Sequence, residues 1–476
     1  MFQVAHISQS DSSPSLNSAV SDRLDLKSLA AEVVDRARKA GATDAEAVVS
    51  EGDEFSVSVR MGEVETLQES GSRGLGLRVF VGQRSASAST SDLTPDGITQ
   101  LVAGALALAQ VTEEDAFSGL PEREDFGQLT QDLHLYYEDV YSLPAAERID
   151  RARRAEAAAL AADPRITNSQ GGSFDAATGR RVLANSRGFL GEYRSSYCGL
   201  SAAPLAMDEK GAMQRDFWSS SARRIADLES PESIGKEAAR RALRHLGARR
   251  VPTQQVPIIF SQDVSRSLVG HLFEAASGDS IWRSASFLAG QLGETIAASG
   301  ITVIDDHTLI LPTGVGGFGT SPFDGEGLPT RRTVVVENGV LQTYLLNTYT
   351  ARKLNMRSTG NATRGLAGSP GIGAGNLYVV PGTQTPEEIL AGIPNGLYVT
   401  SLMGFGANMV TGDYSRGASG LWIENGELTY AVEEITIAGN LREMFRNITA
   451  IGNDLVFRGS VAAPTLRIDG MTIAGA

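Results

Sequence analysis

The sequence predicts an α+β fold, with an N-terminal half of helices packed on antiparallel strands and a mostly antiparallel β C-terminal half forming a curved or barrel-like sheet. Three observations carry this. Ala/Arg/Glu-rich helical stretches fall before about residue 250, segments of alternating apolar residues lie between them, and the chain then turns Gly-dense with two Asn-Gly hairpin signatures.

In order, Leu26, Leu29, Val33, Ala37 and Ala40 recur at helical spacing before Gly41. Phe55, Val57 and Val59 then alternate with polar residues, GLGLRVFVGQRSASAST continues as strand, and Thr94 and Asp96 open a second helix. AAERIDRARRAEAAALAADPR is a long helix ended by Asp163-Pro164, and strands are expected from Ile166 to about Leu205. The charge run of the next helix, PESIGKEAARRALRHLGARR, reads as a solvated face. Two near-matching phrases, VVVENGVLQTYLLN and LWIENGELTYAVEE, place Asn338-Gly339 and Asn425-Gly426 between strands, where a type I′ turn needs positive φ at both positions.

We therefore expect a disordered Ser-rich segment at 1–22 and an N-terminal α/β-type domain at 23–250, with subregions of about 23–115 and 116–250. A β-rich C-terminal domain at 251–476 follows. With 56 acidic against 42 basic residues the net charge is -14, and no Lys/Arg block interrupts it, which argues against direct nucleic-acid binding. The N-terminal residues lack the pattern of a signal peptide and no run of about 18 apolar residues occurs, so no membrane association and a cytoplasmic location are expected. Cys198 is the only cysteine, which excludes an intrachain disulfide. With no histidine beside it, it reads as a small, half-buried residue.

The five histidines, His6, His134, His245, His271 and His307, are all isolated, so no single element carries a histidine-rich metal site. GVGGFG (314–319) fits the glycine spacing of a dinucleotide loop, but TSPFDGEGLPT follows instead of a helix, so it reads as a loop. Two acidic loops are candidates for substrate or partner contact: Asp324, Glu326 and Gly327 in SPFDGEGLPT, and Asp413, Ser415 and Arg416 in VTGDYSRGASG. Around SLVGHLFEAASGD (267–279), counting about 100° per residue from Val264, the residues Val264, Leu268, Val269, Leu272, Phe273, Ala275 and Ala276 share one helix face. His271 falls at its border and Glu274 about 60° beyond, so the two are expected as an exposed pair.

The phrases FLAGQLGETIAASGITVIDDHTL, PFDGEGLPTRRTVVVENGVLQTYLLNTYTARKL, VTGDYSRGASGLWIENGELT and GNDLVFRGSVAAPTLRIDG, in this order, resemble the TldD/PmbA family, and within it the PmbA branch, also called TldE. The resemblance implies a relation to zinc metallopeptidases whose TldD-type subunits carry H-E-x-x-x-H on a helix and a cysteine near the C-terminus. Aligned through Gly278-Asp279 and GQLGE, those three positions fall on Val269, Gly270 and Glu274, and His271 occupies none of them. FRGSVAAPT stands where a cysteine-bearing insertion would be.

The resemblance thus implies a chain with no catalytic residues and no metal of its own, with zinc held by a TldD-type catalytic partner. It would help enclose unfolded protein or peptide substrates, and a homodimer in isolation is compatible with this. Two alternatives remain. One is a stand-alone metallopeptidase with scattered ligands such as His271, Glu274, Asp305 and His307. The other is a regulatory protein acting indirectly on DNA gyrase, after the family's other name, modulator of DNA gyrase.

Overall fold

A computed structural model describes residues 25–475, so the segment 1–22 lies outside the described residues. The chain is α+β. Its first half runs α1 (Leu26–Lys39), β1 (Asp44–Arg60), β2 (Glu63–Val81), β3 (Arg84–Thr90), α2 (Pro95–Val111), α3 (Glu138–Ser142) and α4 (Ala145–Leu160). It continues through β4 (Ile166–Asn185), β5 (Leu190–Met207), β6 (Met213–Arg215), β7 (Trp218–Ala222) and α5 (Pro231–Leu243). The strands form one antiparallel sheet in the order β3-β2-β1-β4-β5-β6, with β7 also on β5.

The helices start where side-chain caps meet apolar periodicity. The Asp25 carboxylate accepts from Lys27 N–H, the Thr94 hydroxyl from Gly97 N–H and the Ser230 hydroxyl from Ser233 N–H, with Pro95 and Pro231 opening α2 and α5. β1 is 17 residues long and β4 is 20, enough for two helix pairs end to end on one face. α1 and α2 bury Ala45, Ala47, Val49 and Leu77, while α4 and α5 bury Phe55, Val57, Val59 and Phe174. Because strand side chains alternate, Glu46 and Val48 point to the other face, toward the second half.

That half comprises β8 (Gln254–Phe260), α6 (Gln262–Ala276), α7 (Gly278–Trp282), β9 (Val303–Asp306), β10 (Arg332–Glu337), β11 (Val340–Leu341), α8 (Thr348–Lys353), β12 (Ala362–Thr363) and β13 (Gly371–Ile372). After these come β14 (Asn376–Val379), α9 (Pro386–Ala391), β15 (Asn395–Met403), β16 (Asp413–Glu424), β17 (Glu427–Asn440), α10 (Leu441–Arg446), β18 (Ile448–Ile451), β19 (Val461–Ala462) and β20 (Leu466–Ala474). β17-β16-β15-β8-β20 closes into a five-stranded barrel through the β17–β20 pairing, with one parallel pair, β8–β15. β18 pairs with β20 at the barrel's side, β12 and β13 form a two-stranded hairpin, and the other strands form the sheet β11-β10-β9-β14-β19. Both expected Asn-Gly turns are present: φ is 49° at Asn338, 84° at Gly339, 52° at Asn425 and 84° at Gly426.

Three local expectations are corrected. The α5 charge run is not wholly solvated: Arg241 is buried, ion-paired to Asp263 (2.8 Å) and stacked on Trp218. Cys198 is fully buried, and burial pushes its thiol up to about 12. The helix in SLVGHLFEAASGD ends at Ala276, because Ser277 adopts an extended conformation before α7 starts.

The halves meet through an aromatic cluster and a buried ionic one. Phe323 packs edge-on against Phe189 (5.1 Å) and Tyr193 (5.4 Å). Glu46 is ion-paired to Arg364, whose Nη1 lies 2.7 Å away, and accepts a hydrogen bond from Arg78 Nη1 (3.2 Å), and all three residues are buried. Gly76 permits this closeness, since a side chain there would run into the Leu366 carbonyl.

Candidate functional site

α6 follows directly from barrel strand β8 and packs its apolar face on the barrel core through Val264, Leu268, Val269 and Leu272. Ser265, fully buried, anchors it by donating to the Pro464 carbonyl (2.8 Å). Of the aligned positions, Val269 is part of the core, Gly270 lies where an added side chain would meet nothing, and Glu274 is exposed. His271 differs from the expected exposed pair. It is half-buried, its ring lies edge-on to Tyr414 at 6.0 Å, and its Nε2 is buried without a hydrogen-bond partner. Burial first, and the Arg416 charge second, hold its pKa below the usual histidine range.

The second acidic loop lies on β16 beside this helix. Tyr414 is buried and Arg416 half-buried, while Asp413 and Ser415 alternate outward. Asp413 accepts from Thr411 Oγ1 (2.7 Å) and Asn440 Nδ2 (3.2 Å), which ties β16 to β17. Ser415 N–H donates to Gly406 O (2.6 Å), folding the loop between β15 and β16 back over β16. Sequence reasoning missed Tyr414. Its place in the inward-facing alternation Tyr414, Arg416, Ala418 was the available signal.

The first acidic loop lies at the junction of the halves. The Asp324 carboxylate accepts from the N–H groups of Glu326 (2.9 Å), Leu328 (3.0 Å) and Ala362 (3.2 Å), and Gly327 N–H donates to Asp324 O (3.2 Å). Glu326 accepts from Thr348 N–H (2.8 Å) at the start of α8. Both carboxyls are buried. Burial raises the pKa of each, against the backbone donors at Asp324 and together with the Asp324 charge at Glu326. Asp324 borders a cavity of about 270 Å³ that Arg181, Tyr193, His307 and Phe318 also line.

Asp305 and His307 do meet, at 3.2 Å, with Asn361 Nδ2 donating to His307 Nε2 (3.1 Å). The structure does not gather the scattered set His271, Glu274, Asp305 and His307. Among the described residues, no three His, Cys, Asp or Glu side chains stand close enough to hold a metal ion. Nor is any described helix long and apolar enough to cross a membrane.

Three consecutive sequence profiles match the chain: PmbA/TldA metallopeptidase domain 1 at residues 45–109, the central domain at 138–246 and the C-terminal domain at 253–475. The chain belongs to the PmbA/TldD family. Metalloprotease PmbA of Escherichia coli O157:H7 is 40% identical over 431 residues, which is 90% of this chain and 92% of that protein. A PmbA homologue of Haemophilus influenzae is 37% identical, covering 95% and 96%. Among solved structures, a proposed modulator of DNA gyrase from Bacteroides thetaiotaomicron superposes with a TM-score of 0.86 at 29% identity, over 94% of this chain and 99% of that one. TldE from Thermococcus kodakarensis shares the fold, with a TM-score of 0.83 at 21% identity over 94% and 100%. Relatives within the PmbA/TldD family are thus named metalloproteases. The residues at 269, 270 and 274 of this chain do not fit a zinc ligand set, because valine and glycine offer no donor atom.

Proposed function

We propose that this protein is the non-catalytic, PmbA/TldE-type subunit of a heteromeric zinc metalloprotease, a cytoplasmic chain that helps enclose and bind unfolded or peptide substrates. The observation that carries this reading is α6: it packs on the barrel as a ligand-bearing helix would, yet presents Val269, Gly270 and Glu274. A hydrolytic zinc site needs about three protein ligands and an open position, so zinc belongs to an H-E-x-x-x-H paralogue.

Substrate binding by main-chain pairing is supported by β2, whose residues 63–74 pair only with β1, because β3 covers 75–81 alone. An edge of this kind can receive an extended peptide with little regard for its side chains. Two measurements test the proposal. The purified chain should hold far less than one zinc per molecule and cleave no unfolded protein alone, and cleavage should appear when the H-E-x-x-x-H paralogue is added. Stoichiometric zinc with proteolysis by the isolated chain would overturn it.

A further inference from the structure

Beside α6, three polar side chains meet: the His271 ring lies edge-on to Tyr414, and Arg416 adjoins both. Tyr414 Oη is buried with the Arg416 guanidinium as its polar neighbour, Arg416 Nε and His271 Nε2 are buried without a hydrogen-bond partner, and Arg416 has no ion-pair partner among the described residues. Burial pushes the Tyr414 hydroxyl up to about 12, so it stays a neutral donor, and the lowered histidine leaves Arg416 as the fixed charge of the group. Orphaned buried donors cost free energy unless something supplies an acceptor, and a planar guanidinium matches a carboxylate with two parallel hydrogen bonds.

The rim of this cluster is apolar. The loop from Met403 to Val410 leaves Met403 56%, Phe405 108% and Val410 55% exposed. It is fixed against the cluster: Met403 pairs with Gly417, Ala407 bridges to Tyr414, and a side chain at Gly406 would run into the Ser415 carbonyl. One cation with neutral donors suits a monoanion better than a phosphate dianion. Exposed Glu274 and Asp413 and the net charge of -14 disfavour a polyanion further.

We propose that Arg416, Tyr414 and His271 form a carboxylate-binding subsite that takes the C-terminal residue of a peptide, with an apolar side chain of that residue resting on the Met403–Val410 loop. This rests on the peptide-binding reading above and adds a polarity to it: the peptide's C-terminal end lies over β16.

The test uses the full chain and a fluorescein-labelled peptide ending in leucine, as free acid and as C-terminal amide, with affinity read by fluorescence anisotropy. The free acid should bind at least about tenfold more tightly than the amide. Arg416→Gln should abolish the preference for the acid over the amide, and Phe405→Ser should weaken both. The acid-against-amide comparison on the unaltered chain decides the matter even where a variant misfolds. Equal binding of acid and amide would overturn the subsite while leaving peptide binding intact, and binding of neither would overturn both. An Arg416→Gln chain that keeps its preference for the acid but no longer assembles with the paralogue would place a partner's carboxylate on Arg416 and sink the proposal.

Discussion

At Glu326 a buried carboxyl has one backbone donor, from Thr348, and a second carboxyl, Asp324, close enough to raise its pKa. The raised values, about 6 for Asp324 and about 7 for Glu326, mean that the folded chain binds protons more tightly than the unfolded chain. The stability this pair contributes is fully present below the ordinary values of 3.8 and 4.5 and is lost as pH rises through about 6 to 7. The urea midpoint should therefore fall between about pH 5 and about pH 8. Glu326→Gln, which is neutral at every pH, should flatten that fall and raise the midpoint at the alkaline end, and parallel curves for the two proteins would show that the pair does not titrate in this range. The same residue shows a limit of sequence reading. SPFDGEGLPT has the composition of an exposed turn, and nothing local reveals that backbone donors from residues 348 and 362 reach its carboxylates.

At the scale of elements, legibility followed the range of the interactions. The helices at 26–39, 95–111 and 231–243 are set by caps and apolar spacing within a few residues, that at 145–160 by its Ala-rich composition without a side-chain cap, and both Asn-Gly turns by local φ preference. The β12–β13 hairpin is the opposite case: its place depends on Gly76, hundreds of residues earlier, which leaves room for the Leu366 carbonyl. Gly76→Ala should force the two backbones apart and destabilise the chain by about 1–3 kcal/mol. Hydrogen exchange should then rise across residues 362–372 while the α6 core stays protected, and unchanged exchange in the hairpin would count against this contact.

For the whole molecule, the buried ionic cluster joins the halves, since Arg364 comes from the second and Glu46 and Arg78 from the first. Glu46 is the one acid between two buried guanidiniums, so Glu46→Gln leaves both without a counter-charge and should cost about 3–5 kcal/mol, measured by chemical denaturation. A cost below about 1 kcal/mol would mean that water reaches the two arginines and that the other contacts between the halves, Arg241–Asp263 and the aromatic cluster among them, hold them together. Such charges read as surface in a single sequence, and strand order was equally hidden, because β8 finds its parallel neighbour β15 only after the whole intervening sheet has been laid down. That closure has a consequence during synthesis. The first half holds all the strands of its own sheet and can fold as it leaves the ribosome, whereas β8 must wait for β15 and for β20, the last strand of the chain. Until then its apolar face has no permanent cover. The barrel is therefore expected to be the slower step of folding, completed when β20 pairs with β8 and β17.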